Sequence, residues 1–67
     1  MTYTITHPLG HTHGSYDTHT TAHAEVLKLI PLSVTKAGKL LNRLASARPA
    51  SQHWVDYDGV GVLINVL

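Results

Sequence analysis

The dipeptide Asp58-Gly59 is the feature that most constrains what this chain can fold into. It lies between two runs of alternating apolar residues, HWVDY and VGVLINVL. Asp-Gly at such a position predicts a two-residue hairpin turn, because both residues tolerate positive φ. The turn also sets the register, so Trp54 is predicted to lie opposite Leu63. One face of the hairpin then carries an apolar row made of Val55, Tyr57, Val60, Val62, Ile64 and Val66.

Two short amphipathic helices are predicted in the middle of the chain, separated by Pro31. The first covers about residues 19–30, with Asp17 or Thr18 as its N-cap. The second follows Ser33 as its N-cap and covers the segment VTKAGKLLNRLASA. Its predicted apolar stripe consists of Val34, Ala37, Leu40, Leu41, Leu44 and Ala45.

The N-terminal residues predict a second hairpin, for which two registers are open. The segment YTIT alternates and is rich in β-branched and aromatic residues, so it predicts a strand, and a short strand ending at Tyr16 follows. If the loop is residues 8–10, the strand histidines face the core. If it is residues 8–11, Tyr3 lies opposite Tyr16 and His13 turns outward. We expect the second register, because it buries a tyrosine instead of histidines without hydrogen-bond partners.

The element order ββααββ predicts an α+β fold, in which a four-stranded, mainly antiparallel sheet carries two helices packed on one face. The 67 residues allow a single small domain, 1–67, which buries only about 60% of the surface of its unfolded chain. The chain has no cysteine, so a metal ion or self-association remains to support this thin core. Because the last strand is apolar to its end, we expect it to be paired on both sides, with a neighbouring subunit as one source of that pairing.

Charge and hydropathy patterning exclude several classes of protein. The formal net charge of +1 is far from the strongly basic balance of a dedicated nucleic-acid binder. No run of residues approaches the roughly 20 apolar positions needed to span a bilayer. The opening MTYTITHPLG lacks the pattern of a signal peptide, and the absence of cysteine fits a reducing compartment. We therefore expect a cytoplasmic protein.

The segment HPLGHTHGSYDTHTTAH holds five of the six histidines. Two of them are four residues apart on the first predicted helix, and two others are two residues apart on a strand, so each pair shares a face. Neutral imidazoles in such pairs suit zinc, and the candidate ligands are His11, His13, His19 and His23. The spacing matches no standard zinc signature. We therefore expect His11 and His13 to be solvated, His19 and His23 to extend the apolar stripe of the first helix, and no cofactor to be bound, with a zinc site as the alternative.

Two further surfaces are candidate binding sites. A basic stripe on the second helix is made of Lys36, Lys39 and Arg43. It could meet phosphates or an acidic partner, although three charges give little support for nucleic-acid binding. The outer apolar patch, on the hairpin face away from the helices, is made of Trp54, Leu63 and Leu67. Exposed apolar patches with an aromatic anchor are typical of interfaces, and a homodimer through this sheet face or through the last strand would enlarge the core.

No motif predicts catalysis. The serines that could serve as nucleophiles have no spacing from histidine and aspartate that indicates a triad, and they are Ser15, Ser33 and Ser51. A glycine-rich phosphate loop is also missing from the sequence. We therefore expect a protein that is not an enzyme.

The segment YTITHPLGHTHGSYDTHTTAHAEVL combines a strand, a Pro-x-Gly turn, a Gly-x-Tyr-Asp-Thr motif and an alanine-bearing helix. It resembles short uncharacterised proteins of actinobacterial phages and their hosts, over about the first third of the chain. The resemblance implies a protein that binds and blocks a host or defence protein, and it assigns no role to any residue. The sequence thus predicts a small interaction module that self-associates, with zinc binding and nucleic-acid binding as the alternatives.

Overall fold

The computed structural model describes the backbone of residues 1–6 and 12–67, and the side chains of 1–6, 14–59 and 61–67. The elements, in chain order, are β1 (Tyr3–Thr6), β2 (Thr12–Tyr16), α1 (His19–Leu29), α2 (Val34–Ala45), β3 (Ser51–Tyr57) and β4 (Val60–Val66). The four strands form one sheet in the order β2-β1-β4-β3, and every neighbouring pair is antiparallel. The predicted ββααββ architecture of the α+β class is confirmed.

The C-terminal hairpin has the predicted turn and register. Asp58 and Gly59 adopt φ of 49° and 79°, as the type I′ turn requires at both central positions. Trp54 lies opposite Leu63. Four residues of the predicted apolar row pack into the core, as expected from the alternation, and they are Val55, Val62, Ile64 and Val66. Tyr57 is 36% exposed, and the side chain of Val60 lies outside the described residues.

The N-terminal hairpin adopts the second of the two predicted registers. Tyr3 pairs with Tyr16, and Tyr16 is half-buried against the core. The ladder shifts by one residue at the end of β1. The predicted loop, residues 8–11, and the side chain of His13 lie outside the described residues.

The two hairpins meet where β1 pairs with β4. Tyr3 lies opposite Val66, and the pairing continues to the chain ends, where Leu67 N–H donates to the Thr2 carbonyl at 2.8 Å and Thr2 N–H donates to the Leu67 carbonyl at 3.3 Å. The last strand is therefore paired on both sides, as expected, but by β1 and β3 of the same chain. A neighbouring subunit is not needed for this pairing, and β4 offers no edge for the homodimer predicted through the last strand.

Side-chain caps begin both helices. Thr18 Oγ1 accepts from the Thr21 N–H at 3.2 Å, so it is the second of the two predicted candidates that caps α1. Ser33 Oγ accepts from the Lys36 N–H at 3.3 Å and caps α2, as predicted. Each cap satisfies one of the free amides of a first helical turn. Neither of these two described helices has the length and apolar character needed to cross a bilayer.

The core lies between the helices and one face of the sheet. The sheet contributes Tyr3, Ile5, Val62, Ile64 and Val66. The two helices and the residue that follows α1 contribute Ala22, Val26, Ile30, Leu40 and Leu44. Among the described residues, no polar or charged residue is buried. The fold therefore depends on apolar packing and on the backbone ladder.

The predicted stripe of α2 is wrong at its two ends. Val34 is 91% exposed and Ala45 is exposed as well. With 100° of rotation per residue, Val34 lies about 100° and Ala45 about 120° from the midpoint between Leu40 and Leu44, the residues that α2 buries. The apolar face that α2 buries is narrower than its sequence suggests, so more of the helix surface faces solvent.

Ala50 carries a backbone conformation that favours glycine, and this generates a stability prediction. Its φ is 67°, and its N–H donates to the Val66 carbonyl at 2.7 Å. Ala50→Gly should raise the free energy of unfolding by about 0.5–1 kcal/mol, because the strain relieved exceeds the entropy added to the unfolded chain. Urea denaturation measures this. Gly59→Ala, at a glycine that also has a positive φ of 79°, should lower stability. A less stable Ala50→Gly variant would contradict the prediction.

Candidate interaction groove

A groove lies between α2 and β3, the strand at one edge of the sheet. Its volume is about 190 Å³. Trp54 and Asp56 line it from β3, and its apolar lining is completed by Leu32, Leu40 and Val55. The side of α2 contributes Lys36, Lys39 and Arg43. The structure thus brings the predicted basic stripe together with one residue of the predicted outer apolar patch.

The strand β3 has one hydrogen-bonded side and one open side. The two-residue turn makes Tyr57 and Val60 a hydrogen-bonded pair, and such pairs alternate along an antiparallel ladder. With the register of β3 and β4, the N–H and C=O groups that point away from β4 belong to Gln52, Trp54 and Asp56. β3 is the last strand in the sheet order, so no described strand pairs with these groups. An open edge of this kind is a template for another extended chain.

The indole of Trp54 lies across Gly61 of the neighbouring strand. The position that a Cβ would take at Gly61 is occupied by the six-membered ring of Trp54. Gly61 is buried as a result, while Trp54 remains 55% exposed. Because Gly61 has no side chain, the indole can lie against the backbone of β4, and more than half of the surface of Trp54 stays exposed.

The rest of the predicted outer patch lies away from the groove. Leu63 is half-buried opposite Trp54. Leu67 is 64% exposed, and its backbone is held by Thr2 at the end of β4. Both helices pack on the other face of the sheet. Trp54 is thus the member of this patch that lines the groove, and the interface through Leu63 and Leu67 stays a prediction.

The cations of the groove have no acidic partner among the described side chains. The ion pair found there joins Lys28 and Glu25 on α1, at 3.0 Å. Asp56 is the carboxylate in the lining. Lys36 lies in the first turn of α2, which has no acidic residue, and the helix dipole disfavours a cation at that end. Its placement is unfavourable for the helix and favourable for meeting an external anion.

The strand β3 also carries a serine–histidine pair that the sequence analysis did not predict. Ser51 Oγ donates to the Arg48 carbonyl at 2.6 Å and accepts from His53 Nε2 at 3.0 Å. Because the single hydroxyl proton points away from the imidazole, this arrangement does not activate the serine as a nucleophile. The signal was present in the sequence, since residues two apart on a strand share a face.

The structure places two of the four predicted zinc ligands, His19 and His23, on α1. His23 Nε2 donates to the Ala37 carbonyl of α2 at 2.8 Å, so it links the two helices. Within the described part of the chain, no group of three or more histidine, aspartate or glutamate side chains is placed to hold a metal ion. The side chains of His11 and His13 lie outside that part, so the four-histidine zinc site stays a prediction.

No family model, curated protein or solved structure matches this chain. The groove, with its cations, its open strand edge and Trp54, is the feature of the molecule that bears on its function.

The contact between Trp54 and Gly61 generates a prediction about the site. Gly61→Ala should force the indole off β4, lowering the free energy of unfolding by about 1–3 kcal/mol and changing the tryptophan emission. The matched control is Gly38→Ala on α2, where a Cβ meets no atom within 4 Å. That variant should gain about 1 kcal/mol from helix propensity and keep the emission unchanged. Unaltered emission in Gly61→Ala would show that the indole is seated elsewhere.

His53 generates a prediction about pH. Burial and, secondarily, the Arg43 guanidinium lower the pKa of His53 below its ordinary value of 6.5. The unfolded chain then binds more protons than the folded one as the pH falls below about 6.5, so acid reduces the free energy of unfolding. His53→Gln should reduce this dependence, which denaturation at about pH 7.5 and about pH 5 measures. If the parent protein and His53→Gln lose the same free energy of unfolding between these two pH values, the pH dependence does not come from His53.

Proposed function

We propose that this protein is a non-enzymatic interaction module that binds an acidic segment of a protein partner in the groove between α2 and β3. One observation carries this proposal. Three cations with no acidic partner among the described side chains, the half-exposed Trp54 and an open strand edge meet along this groove. Charge, aromatic surface and backbone groups are the three elements from which peptide-binding sites are built.

The charges and the indole have different roles in this proposal. A solvent-exposed ion pair contributes about 0.2–1 kcal/mol and is screened by salt. The basic row on α2 therefore selects an acidic ligand and speeds association more than it adds affinity. Contact between the ligand and the exposed surface of Trp54 would add affinity, because tryptophans are frequent hot spots of interfaces.

A single-stranded nucleic acid is the alternative occupant of the groove. Its bases could stack on the open face of Trp54, and its phosphates could meet the basic row. Two observations favour a peptide. The cationic row is short, with Lys36 and Arg43 as its ends, and the open backbone groups of β3 match another peptide backbone. Nucleic-acid binding is therefore kept as an outcome of the test.

The identity of the partner follows only from the sequence-based expectations. The resemblance to actinobacterial phage proteins would make the partner a host or defence protein. The absence of cysteine fits a cytoplasmic location for the encounter. Self-association through Leu63 and Leu67 is part of the same proposal, on the face of the sheet opposite the helices.

Lys36→Glu tests the proposal because binding and stability should change in opposite directions. The variant would complete the Ser-x-x-Glu capping box with Ser33 and place an anion at the helix N-terminus, raising the free energy of unfolding by about 1 kcal/mol. It should weaken binding of a fluorescent glutamate–valine peptide about tenfold at low salt. Arg48→Glu makes the same charge change outside the groove and should bind as the parent does. Fluorescence anisotropy and urea denaturation provide the two measurements.

Three outcomes would count against the proposal. If Lys36→Glu and Arg48→Glu lower the peptide affinity equally, net charge and not the groove attracts the peptide. If the parent protein does not bind the peptide, the proposed function is wrong. Tighter binding of a single-stranded oligonucleotide than of the peptide, again lost in Lys36→Glu, would favour nucleic acid as the occupant.

A further inference from the structure

We infer that the partner's acidic segment binds as a fifth strand along the open edge of β3, with acidic residues at alternate positions facing α2. This inference rests on the proposed function, and it specifies how the segment lies in the groove.

The open edge provides regularly spaced backbone groups. Gln52, Trp54 and Asp56 direct their N–H and C=O groups away from β4, and the strand extends over seven residues. An added strand would pair with these groups as β4 pairs with the other side. The groove lies along this edge, since residues of β3 and of α2 line it together.

The position of α2 determines which side chains the added strand should carry. On β3, His53 and Val55 face the helices, and Trp54 faces the other way. Side chains of an added strand alternate in the same manner. Every second residue would therefore point towards the basic row, and the intervening residues would lie on the face of the sheet that carries Trp54.

The dimensions of the two elements agree. The row from Lys36 to Arg43 extends about 10 Å along α2, at 1.5 Å per residue. Alternate residues of a strand are about 6.8 Å apart. Two acidic residues separated by one apolar residue therefore fit the length of the row, which makes the pattern acidic–apolar–acidic the expected recognition element.

A second copy of the chain fits this edge poorly. Pairing β3 with β3 of another copy around a two-fold axis would place both α2 helices on the same face of the joined sheet, beside the junction. The basic row of one copy would then approach the basic row of the other, and like charges repel. An acidic segment instead brings opposite charge to the same place, so it is the occupant that the electrostatics favour.

Two labelled peptides of identical composition test the alternation. In the first, glutamate and valine alternate, and in the second the glutamates form one block and the valines another. Their net charge is the same, so simple electrostatic attraction binds both equally. If the peptide binds by strand addition, the affinity for the alternating peptide should be about ten times higher than that for the block peptide, as expected from one or two additional backbone hydrogen bonds.

A proline substitution tests the backbone groups directly. Gln52→Pro removes an N–H that points to the open side and leaves the ladder with β4 intact, as edge positions tolerate. This substitution should lower the affinity for the alternating peptide about fivefold. Gln52→Ala is the matched control, because it removes the same exposed side chain and keeps the N–H. Circular dichroism of both variants confirms that the sheet is retained.

The outcomes separate this inference from the function on which it rests. If both peptides bind equally and Gln52→Pro behaves as Gln52→Ala does, the groove binds acidic segments without strand addition and only the inference is wrong. If neither peptide binds, the proposed function fails as well. If native mass spectrometry shows a dimer that Gln52→Pro dissociates, a second copy occupies the edge and the inference is overturned.

Discussion

The antiparallel pairing of β1 with β4 is the interaction on which the rest of this structure depends. It joins the two ends of the chain, from the ladder at Tyr3 and Val66 to the paired backbones of Thr2 and Leu67. It also makes β1 and β4 the central strands, so the most buried apolar side chains gather under the helices. β4 lies between β1 and β3, and β3 ends the strand order, so the outer side of β3 is open along the groove beside α2.

The surface of α2 is not arranged for the stability of the helix. A lysine occupies the first turn, where the dipole favours an anion, and a glycine with free space around it occupies the middle. Arg43, in the last turn, is the cation that the dipole favours. A chain of 67 residues has little stability to spare. Unfavourable placements on a marginal fold are understandable when the same side chains serve a binding surface.

Sequence reasoning found most parts of the candidate site but not their assembly. The basic stripe and Trp54 were each predicted from periodicity, one on a helix and the other on a strand. That they line one groove depends on how α2 is placed over the edge of the sheet. The role of Gly61 was not predicted, because a glycine in a strand shows its purpose only when the side chain lying across it is known. The Ser51–His53 pair, in contrast, could have been inferred from spacing alone.

The sequence by itself determined the local structure: the turn at Asp58-Gly59, the cap of α2, two candidates for the cap of α1, the order of the elements and the α+β class. These features depend on the φ preferences of single residues and on hydrogen bonds across three or four positions. Only the tertiary structure decided the strand order, the exposure of Val34 and the meeting of α2 with β3. Those depend on which strand edges pair across the whole chain and on which part of an apolar stripe finds a surface to cover. Local patterns place residues on a face, but they do not say what that face will meet.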